Sequence, residues 1–242
     1  MINTFSDEYL NRKSLIDDDT HVLSIGIVEC KNLLNSPETI IDKIEHIDNN
    51  ILNSKTIIKP WSGRSYKYNN PNNIDLCLSK PVPSINELNP KDQFYDEQYF
   101  ISNQLNLAIE NGLKKYYNVY PRAEKNVRSK ERFPKLLKYS VGNSMPAHSD
   151  HGITSRVISC ILYLNDNYDG GELYFPYLDI MVKPEAGSVI FFPSNYIYTH
   201  EVKPIISGVR YSYPNWFHNI EKQMLPENPN SKTELWNKID VK

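Results

Sequence analysis

From about residue 133 onward the chain breaks into short apolar runs: "KLLKYSV", "RVISCILYLN", "GELYFP", "DIMVKP", "GSVIFFP", "HEVKPI" and "RYSYPNWF". Clusters of Gly, Pro, Asn and Asp separate them at intervals of about ten residues. Runs this short, punctuated this regularly, read as strands of an antiparallel sandwich or barrel. Parallel βαβ units would need a crossover helix between successive runs, and the gaps are too short to hold one.

The preceding residues follow a different rhythm. In "SPETIIDKIEHI", Ser36 can cap a helix, Pro37 suits its first turn, and Ile40, Ile41, Ile44 and Ile47 share one face. Residues 93–117 predict a second helix, striped by Ile101, Leu105, Ala108, Ile109 and Tyr116. Residues 59–83, "KPWSGRSYKYNNPNNIDLCLSKPVP", are interrupted by Pro and Asn too often to hold a period. They read as irregular structure, either a surface loop or a flap presenting Trp61, Arg64, Tyr66 and Tyr68 to a substrate. There is no internal repeat, so residues 1–242 are expected to form a single domain. Its fold class is mainly β with flanking helices, the β core running from about 133 to 219.

Composition excludes several partners. A net charge of -2 over 242 residues gives no electrostatic reason to expect nucleic acid. No apolar stretch approaches the roughly 20 residues that span a bilayer, so no membrane association is expected. The opening "MINTFSDEYLNRKSLIDDD" has no basic segment followed by an apolar run, so no secretory signal is expected. Cys30, Cys77 and Cys160 are odd in number and lack CxxC spacing, which suits reduced thiols in a cytoplasmic protein.

The chemistry concentrates in "MPAHSDHG". On a strand, residues two apart share a face, so His148 and Asp150 can point inward together while His151 points away. An H-x-D triplet alone is weak evidence, because most are solvated turns. Downstream, however, His200 opens "HEVKPI" and Arg210 follows in "GVRYSYPNWF". Two histidines and one carboxylate on a barrel face form a facial triad with adjacent open positions, the geometry of non-haem Fe(II) oxygenases. A nearby arginine fork can hold the far carboxylate of a dicarboxylate whose near end chelates the metal.

At these residues the chain resembles the Fe(II)- and 2-oxoglutarate-dependent dioxygenases of the prolyl 4-hydroxylase type. The resemblance covers residues 136–217 and rests on an ordered set: "YSVG", "HSD", "ILYLND", "GGELYFP", "KPEAGSVIFFP", "HEVKP" and "GVRYS". It implies a double-stranded β-helix, a cupin-like jelly roll buttressed here by the N-terminal helices. It implies His148, Asp150 and His200 as catalytic iron ligands, with Fe(II) and 2-oxoglutarate as cofactors, ascorbate as a reductant and O₂ as co-reactant. Arg210 would pair with the C5 carboxylate of 2-oxoglutarate, Ser212 would donate to it, and Tyr163 and Tyr139 would line the same pocket. Arg156 matches a position that helps hold the peptide in relatives. A peptidyl proline is then the leading substrate, and a free amino acid or other small molecule the alternative.

Plainer readings compete with each role. Tyr163 and Tyr139 could fill the core of a chain with 17 tyrosines, and Arg156 could be a surface charge. Trp216 shares strand parity with Arg210 and is expected to pack against the cosubstrate pocket. His218 is expected to be structural or exposed. Two departures from relatives, Met145 before the triad and His151 after its carboxylate, bear on the substrate. Asp150 argues against a halogenase, whose halide occupies the position of that ligand. Trp216 stands where related nucleic-acid demethylases place a second arginine. A zinc hydrolase using the same three ligands would not need Arg210, and a non-catalytic barrel would bury the charged groups at a cost.

Overall fold

Helix α1 (Pro37–Asn50) turns its isoleucines Ile40, Ile44 and Ile47 into the core, the face that their spacing specifies. This computed structural model describes residues 16–50, 62–64, 77–131, 134–151 and 155–220. Before α1 come β1 (Thr20–Ser24) and β2 (Ile27–Cys30), and after it β3 (Ser62–Arg64) and β4 (Cys77–Pro81). Helix α2 (Tyr95–Val119) and the short α3 (Pro121–Glu124) precede β5 (Ser129–Lys130), β6 (Lys135–Tyr139) and β7 (Met145–His148). Then come β8 (Arg156–Tyr163), β9 (Asp169–Gly170), β10 (Leu173–Phe175) and β11 (Ile180–Val182). The chain continues through β12 (Val189–Pro193), β13 (His200–Val202), β14 (Ile205–Ser207) and β15 (Arg210–His218).

The large sheet runs β1-β2-β12-β8-β15-β6-β4-β3, with β5 beside β15, and the small sheet runs β11-β10-β13-β7. A separate ribbon pairs β14 with β9, and the pairings throughout are antiparallel. The sheets meet over a core in which Ile161, Tyr163, Ile190 and Phe192 face Leu173, Phe175 and Val182. On the other side of the large sheet, Ile158, Cys160, Leu162 and Phe191 pack with Leu105, Ala108 and Ile109 of α2 and the isoleucines of α1. Strand β8 is therefore covered on both faces, which is why "VISCILYL" is continuously apolar instead of alternating. Fully burying one such aliphatic side chain contributes roughly 1.5–3 kcal/mol. Leu105→Ala in this layer would cost roughly 2–5 kcal/mol.

Ion pairs tie α1 to the sheet beneath it. Lys138 Nζ lies 2.9 Å from Glu45 Oε1, and Lys80 Nζ lies 2.8 Å from Asp48 Oδ1. Both lysines emerge from strands, β6 and β4, so the helix is held in register against the sheet that carries the site.

Two sequence expectations need correction. The N-terminal stretch supplies the β1–β2 hairpin as well as helices, and β2 pairs directly with β12. Its signal is short, since the turn at Ser24–Ile27 centres on Gly26 with φ 81 and leaves strands of five and four residues. The tract 59–83 is not irregular throughout: Cys77–Pro81 is a strand paired to β6, with Cys77, Ser79 and Lys80 buried. Sheet partners distant in sequence hold it extended, overriding the local Pro and Asn signals. Trp61, Tyr66 and Tyr68, named for a flap, lie outside the described residues.

Candidate metal and cosubstrate site

His148 ends β7 and His200 begins β13, and the two are direct cross-strand partners in the small sheet. Their rings therefore share a face, with centroids 4.5 Å apart. Strand β7 stops at His148, so Asp150 reaches the same place from a bend and not by strand alternation. Its carboxylate lies 3.6 Å from His148 Nε2 and 3.7 Å from His200 Nε2. The three ligand atoms fall within 4.8 Å of one another, and they could hold a metal ion.

The hydrogen bonds behind the rings set their tautomers. His148 Nδ1 lies 2.9 Å from the Pro146 carbonyl and His200 Nδ1 lies 3.1 Å from the Tyr198 carbonyl. A carbonyl only accepts, so each Nδ1 carries a proton, and each Nε2 is left to face the position beside Asp150 that a metal would take. Burial pushes the His200 imidazole below its ordinary pKa, which keeps it in the neutral, metal-binding form. Burial works against the Asp150 charge, but His200, His148 and Arg156 outweigh it and hold the carboxyl below its usual range. Two imidazoles with one carboxylate suit Fe(II).

His151 does not join this group. It is exposed, its Nδ1 lies 2.8 Å from the Arg156 carbonyl, and its backbone N–H donates to Ser194.

The triad borders a cavity of about 150 Å³ whose other wall is β15. Arg210, Ser212, Pro214 and Trp216 line it in strand alternation, putting Arg210 and Trp216 roughly 20 Å apart along the strand. Arg210 is 1% exposed. Its guanidinium lies 4.8 Å from the Tyr139 ring centre and 4.9 Å from that of Tyr163. Strand register explains the grouping: Arg210 faces Tyr139 on β6, and Ser212 faces Tyr163 on β8. Arg210 makes no salt bridge among the described residues. Its Nε and Nη1, the Tyr163 and Tyr168 hydroxyls and Ser212 Oγ are all buried without a hydrogen-bond partner.

Leaving one such group unpaired costs about 1–3 kcal/mol. Three such hydroxyls around a cation that itself has two unpaired donors form a cradle whose chemistry fits a carboxylate such as the far end of 2-oxoglutarate. Burial disfavours the Arg210 charge, yet Tyr163, Tyr139 and Tyr168 hold its pKa above the ordinary value, so it stays cationic. Gly171 makes room for this cradle. Its φ is +67, and a Cβ there would meet Ile205 Cδ1 at 2.5 Å and Arg210 Cδ at 3.2 Å.

Arg156 lines the far end of the cavity. Its guanidinium stacks 3.9 Å from the Trp216 ring centre, and its Nη2 donates to Glu131 Oε2 at 2.9 Å. Trp216 thus packs on Arg156 at the end opposite Arg210 and not on the cosubstrate cradle, because six residues of strand separate the two. His218 is buried at 4% exposure, with Nδ1 2.9 Å from Ser155 Oγ and Nε2 3.6 Å from Glu131. Of the residues that sequence reasoning missed, Tyr168 had a signal, since it directly precedes the "DGG" turn. Glu131 had none, because only the β5–β15 pairing brings it to Arg156.

Comparisons with known proteins agree with this geometry. Residues 134–218 match the 2OG-Fe(II) oxygenase superfamily. The chain is 38% identical to mouse prolyl 3-hydroxylase 2 over 69 residues, 26% of this chain and 10% of that one. It is 27% identical to human prolyl 3-hydroxylase 1 over 168 residues, 53% of this chain and 23% of that one. A PKHD-type hydroxylase of Cupriavidus metallidurans is 33% identical over 100 residues, 36% of this chain and 43% of the relative. The chain therefore spans less than half the length of each of these relatives.

Among solved structures, a Trichoplax adhaerens prolyl hydroxylase in complex with a hypoxia inducible factor peptide fragment has TM-score 0.57 and 16% identity, covering 90% of this chain and 94% of its own. A Burkholderia pseudomallei oxidoreductase of the 2OG-Fe(II) oxygenase family has TM-score 0.56 and 13% identity, covering 91% and 93%. At such identity the likeness is one of fold, the double-stranded β-helix. Residues 134–218, the stretch that matches the 2OG-Fe(II) oxygenase superfamily, hold the triad and both arginines.

Proposed function

We propose that this chain is an Fe(II)- and 2-oxoglutarate-dependent dioxygenase that hydroxylates a peptidyl proline, with residues 1–242 acting as one catalytic domain. The observation that carries this reading is the Arg210 cradle. A fully buried cation with unsatisfied donors around it borders the same cavity as two histidines and a carboxylate. His148, Asp150 and His200 would hold the iron. Arg210 and Ser212 would hold the C5 carboxylate of 2-oxoglutarate, with the Tyr163 and Tyr139 rings fixing the guanidinium. When bound, iron and 2-oxoglutarate supply the oxidising power for C–H hydroxylation by O₂. The protein orients the cosubstrate, keeps water out and presents the substrate from the Arg156 end.

The prolyl substrate is supported by the prolyl hydroxylases among the relatives, and ascorbate would serve as reductant. No described helix is long and apolar enough to cross a membrane. Three buried free cysteines support a cytoplasmic setting. The test is incubation with Fe(II), 2-oxoglutarate and proline-containing peptides, reading succinate together with a one-oxygen mass gain on the peptide. Succinate without metal dependence would overturn the dioxygenase reading. Hydroxylation of free proline but of no peptide would move the substrate to the small-molecule class.

A further inference from the structure

The three residues of the triad are held from behind in different ways. His148 and His200 each bond a backbone carbonyl two residues earlier in the chain. Asp150 lies on a bend beyond the end of β7, and what restrains it comes from β8 and the end of β12. The Ser159 hydroxyl hydrogen-bonds the Asp150 carboxylate. Ser159 Oγ in turn lies 2.8 Å from Ser194 Oγ. Sheet register makes this pair, since Ser159 is the cross-strand partner of Phe192 and Ser194 stands two residues beyond Phe192. Ser194 also holds the bend through its backbone. Its carbonyl accepts the His151 N–H at 2.8 Å, and its own N–H donates to the Val157 carbonyl at 3.2 Å. Both serines are 1% exposed, and neither lines the cavity.

Proton counting gives the pair a direction. A metal-binding carboxylate carries no proton and only accepts, and each hydroxyl has one proton to donate. The Ser159 proton therefore points to Asp150, and Ser159 Oγ accepts from Ser194. We propose that Ser159 and Ser194 are positioning residues, a one-way hydroxyl relay that fixes the Asp150 carboxylate for metal binding before the metal arrives. This inference rests on the metal-site reading above and deepens it. Without the relay, rotation about the Asp150 side-chain bonds carries the carboxylate away from the imidazoles. The metal must then order it at an entropic cost.

The test uses the full chain without 2-oxoglutarate or O₂, titrated with Mn(II) and read by loss of the free-ion electron paramagnetic resonance signal. Ser159→Ala should weaken Mn(II) binding about 10–100-fold, the usual effect of removing a hydrogen-bond partner of a metal ligand. Ser159→Thr keeps the hydroxyl and should bind close to the wild-type level. Ser194→Ala should cost a few-fold, because Ser159 keeps its proton and loses the group that aims it. In the Ser159→Ala background, Ser194→Ala should have no further effect, since the relay is serial. An equal loss in both backgrounds, or wild-type affinity in Ser159→Ala, overturns the inference. Urea melts of the metal-free variants isolate a packing role: lowered stability with unmoved Mn(II) affinity also overturns it. If Ser159→Ala does not fold, Ser159→Cys keeps the volume with a weaker donor and should lose affinity in the same direction. Wild-type affinity in that variant overturns the inference. A wild type that binds no Mn(II), or binds it equally after Asp150→Ala, overturns the inference together with the metal-site reading.

Discussion

Two arginines face one cavity, and their surroundings give them opposite needs. Arg210 sits between the Tyr139 and Tyr163 rings, 1% exposed, with unpaired donors and no salt bridge among the described residues. Arg156 sits on Trp216 with Glu131 at 2.9 Å. A buried cation without a counter-ion costs several kcal/mol, which a bound carboxylate would offset, so Arg210 is built for an anion. Arg156 has its anion already. Residue type is the same at both ends, and charge balance is what distinguishes them.

The largest expected effect comes from the groups that serve both ends. Asp150→Ala should abolish metal-dependent 2-oxoglutarate turnover, because two imidazoles alone hold Fe(II) poorly. Metal content and succinate yield report it, and retained iron with full turnover would dissolve the link between the arginines and the triad.

A smaller effect sharpens the contrast on the Arg156 side. Burial alone would raise the Glu131 carboxyl, but His218 and Arg156 outweigh it and bring it from 4.5 down to about 2. Its folded value lies below its unfolded one. The stability it contributes is therefore complete above about 4.5 and is lost as pH falls through about 2. Glu131→Gln should lower stability at neutral pH by roughly 3–5 kcal/mol, the cost of removing one partner from a buried charge pair. Denaturant melts should show the gap from wild type closing as pH falls from about 4.5 towards 2. A gap that stays constant through that window would mean Glu131 is not the counter-charge of Arg156.

Smaller again is the role of one hydroxyl at the other end. Tyr163→Phe keeps the ring over Arg210 and removes one of several donors facing the cradle. It should weaken 2-oxoglutarate binding by a few-fold, as about 1 kcal/mol for one hydrogen bond implies. The smallest effect should come from His151→Ala, which removes a contact to the Arg156 carbonyl and should leave metal content unchanged.

Much of this site is legible in the sequence because strand alternation is local. Ser212 follows from Arg210 by period-two spacing and Ile40, Ile44 and Ile47 from helical spacing, whereas His200 and Arg210 stand out through the ordered motifs that resemble the family. Asp150 arrives at the triad by a bend, so strand parity gave the right face for the wrong geometric reason. The β1–β2 hairpin and β4 escaped because their partners, β12 and β6, lie far along the chain. Glu131 escaped for the same cause, since its meeting with Arg156 and His218 is a product of sheet register and no residue spacing announces it.

The most direct measurement is the affinity of the Fe(II)-loaded protein for 2-oxoglutarate, without O₂, in the wild type, Arg210→Ala and Arg156→Ala. Arg210→Ala should bind at least about tenfold more weakly, since charge-assisted hydrogen bonds contribute roughly 1.5–3 kcal/mol each. Arg210→Lys should recover part of this by keeping the charge and losing the fork. Arg156→Ala should bind 2-oxoglutarate as the wild type does. Unchanged affinity in Arg210→Ala, or a loss as large in Arg156→Ala, would contradict the assignment of the two arginines.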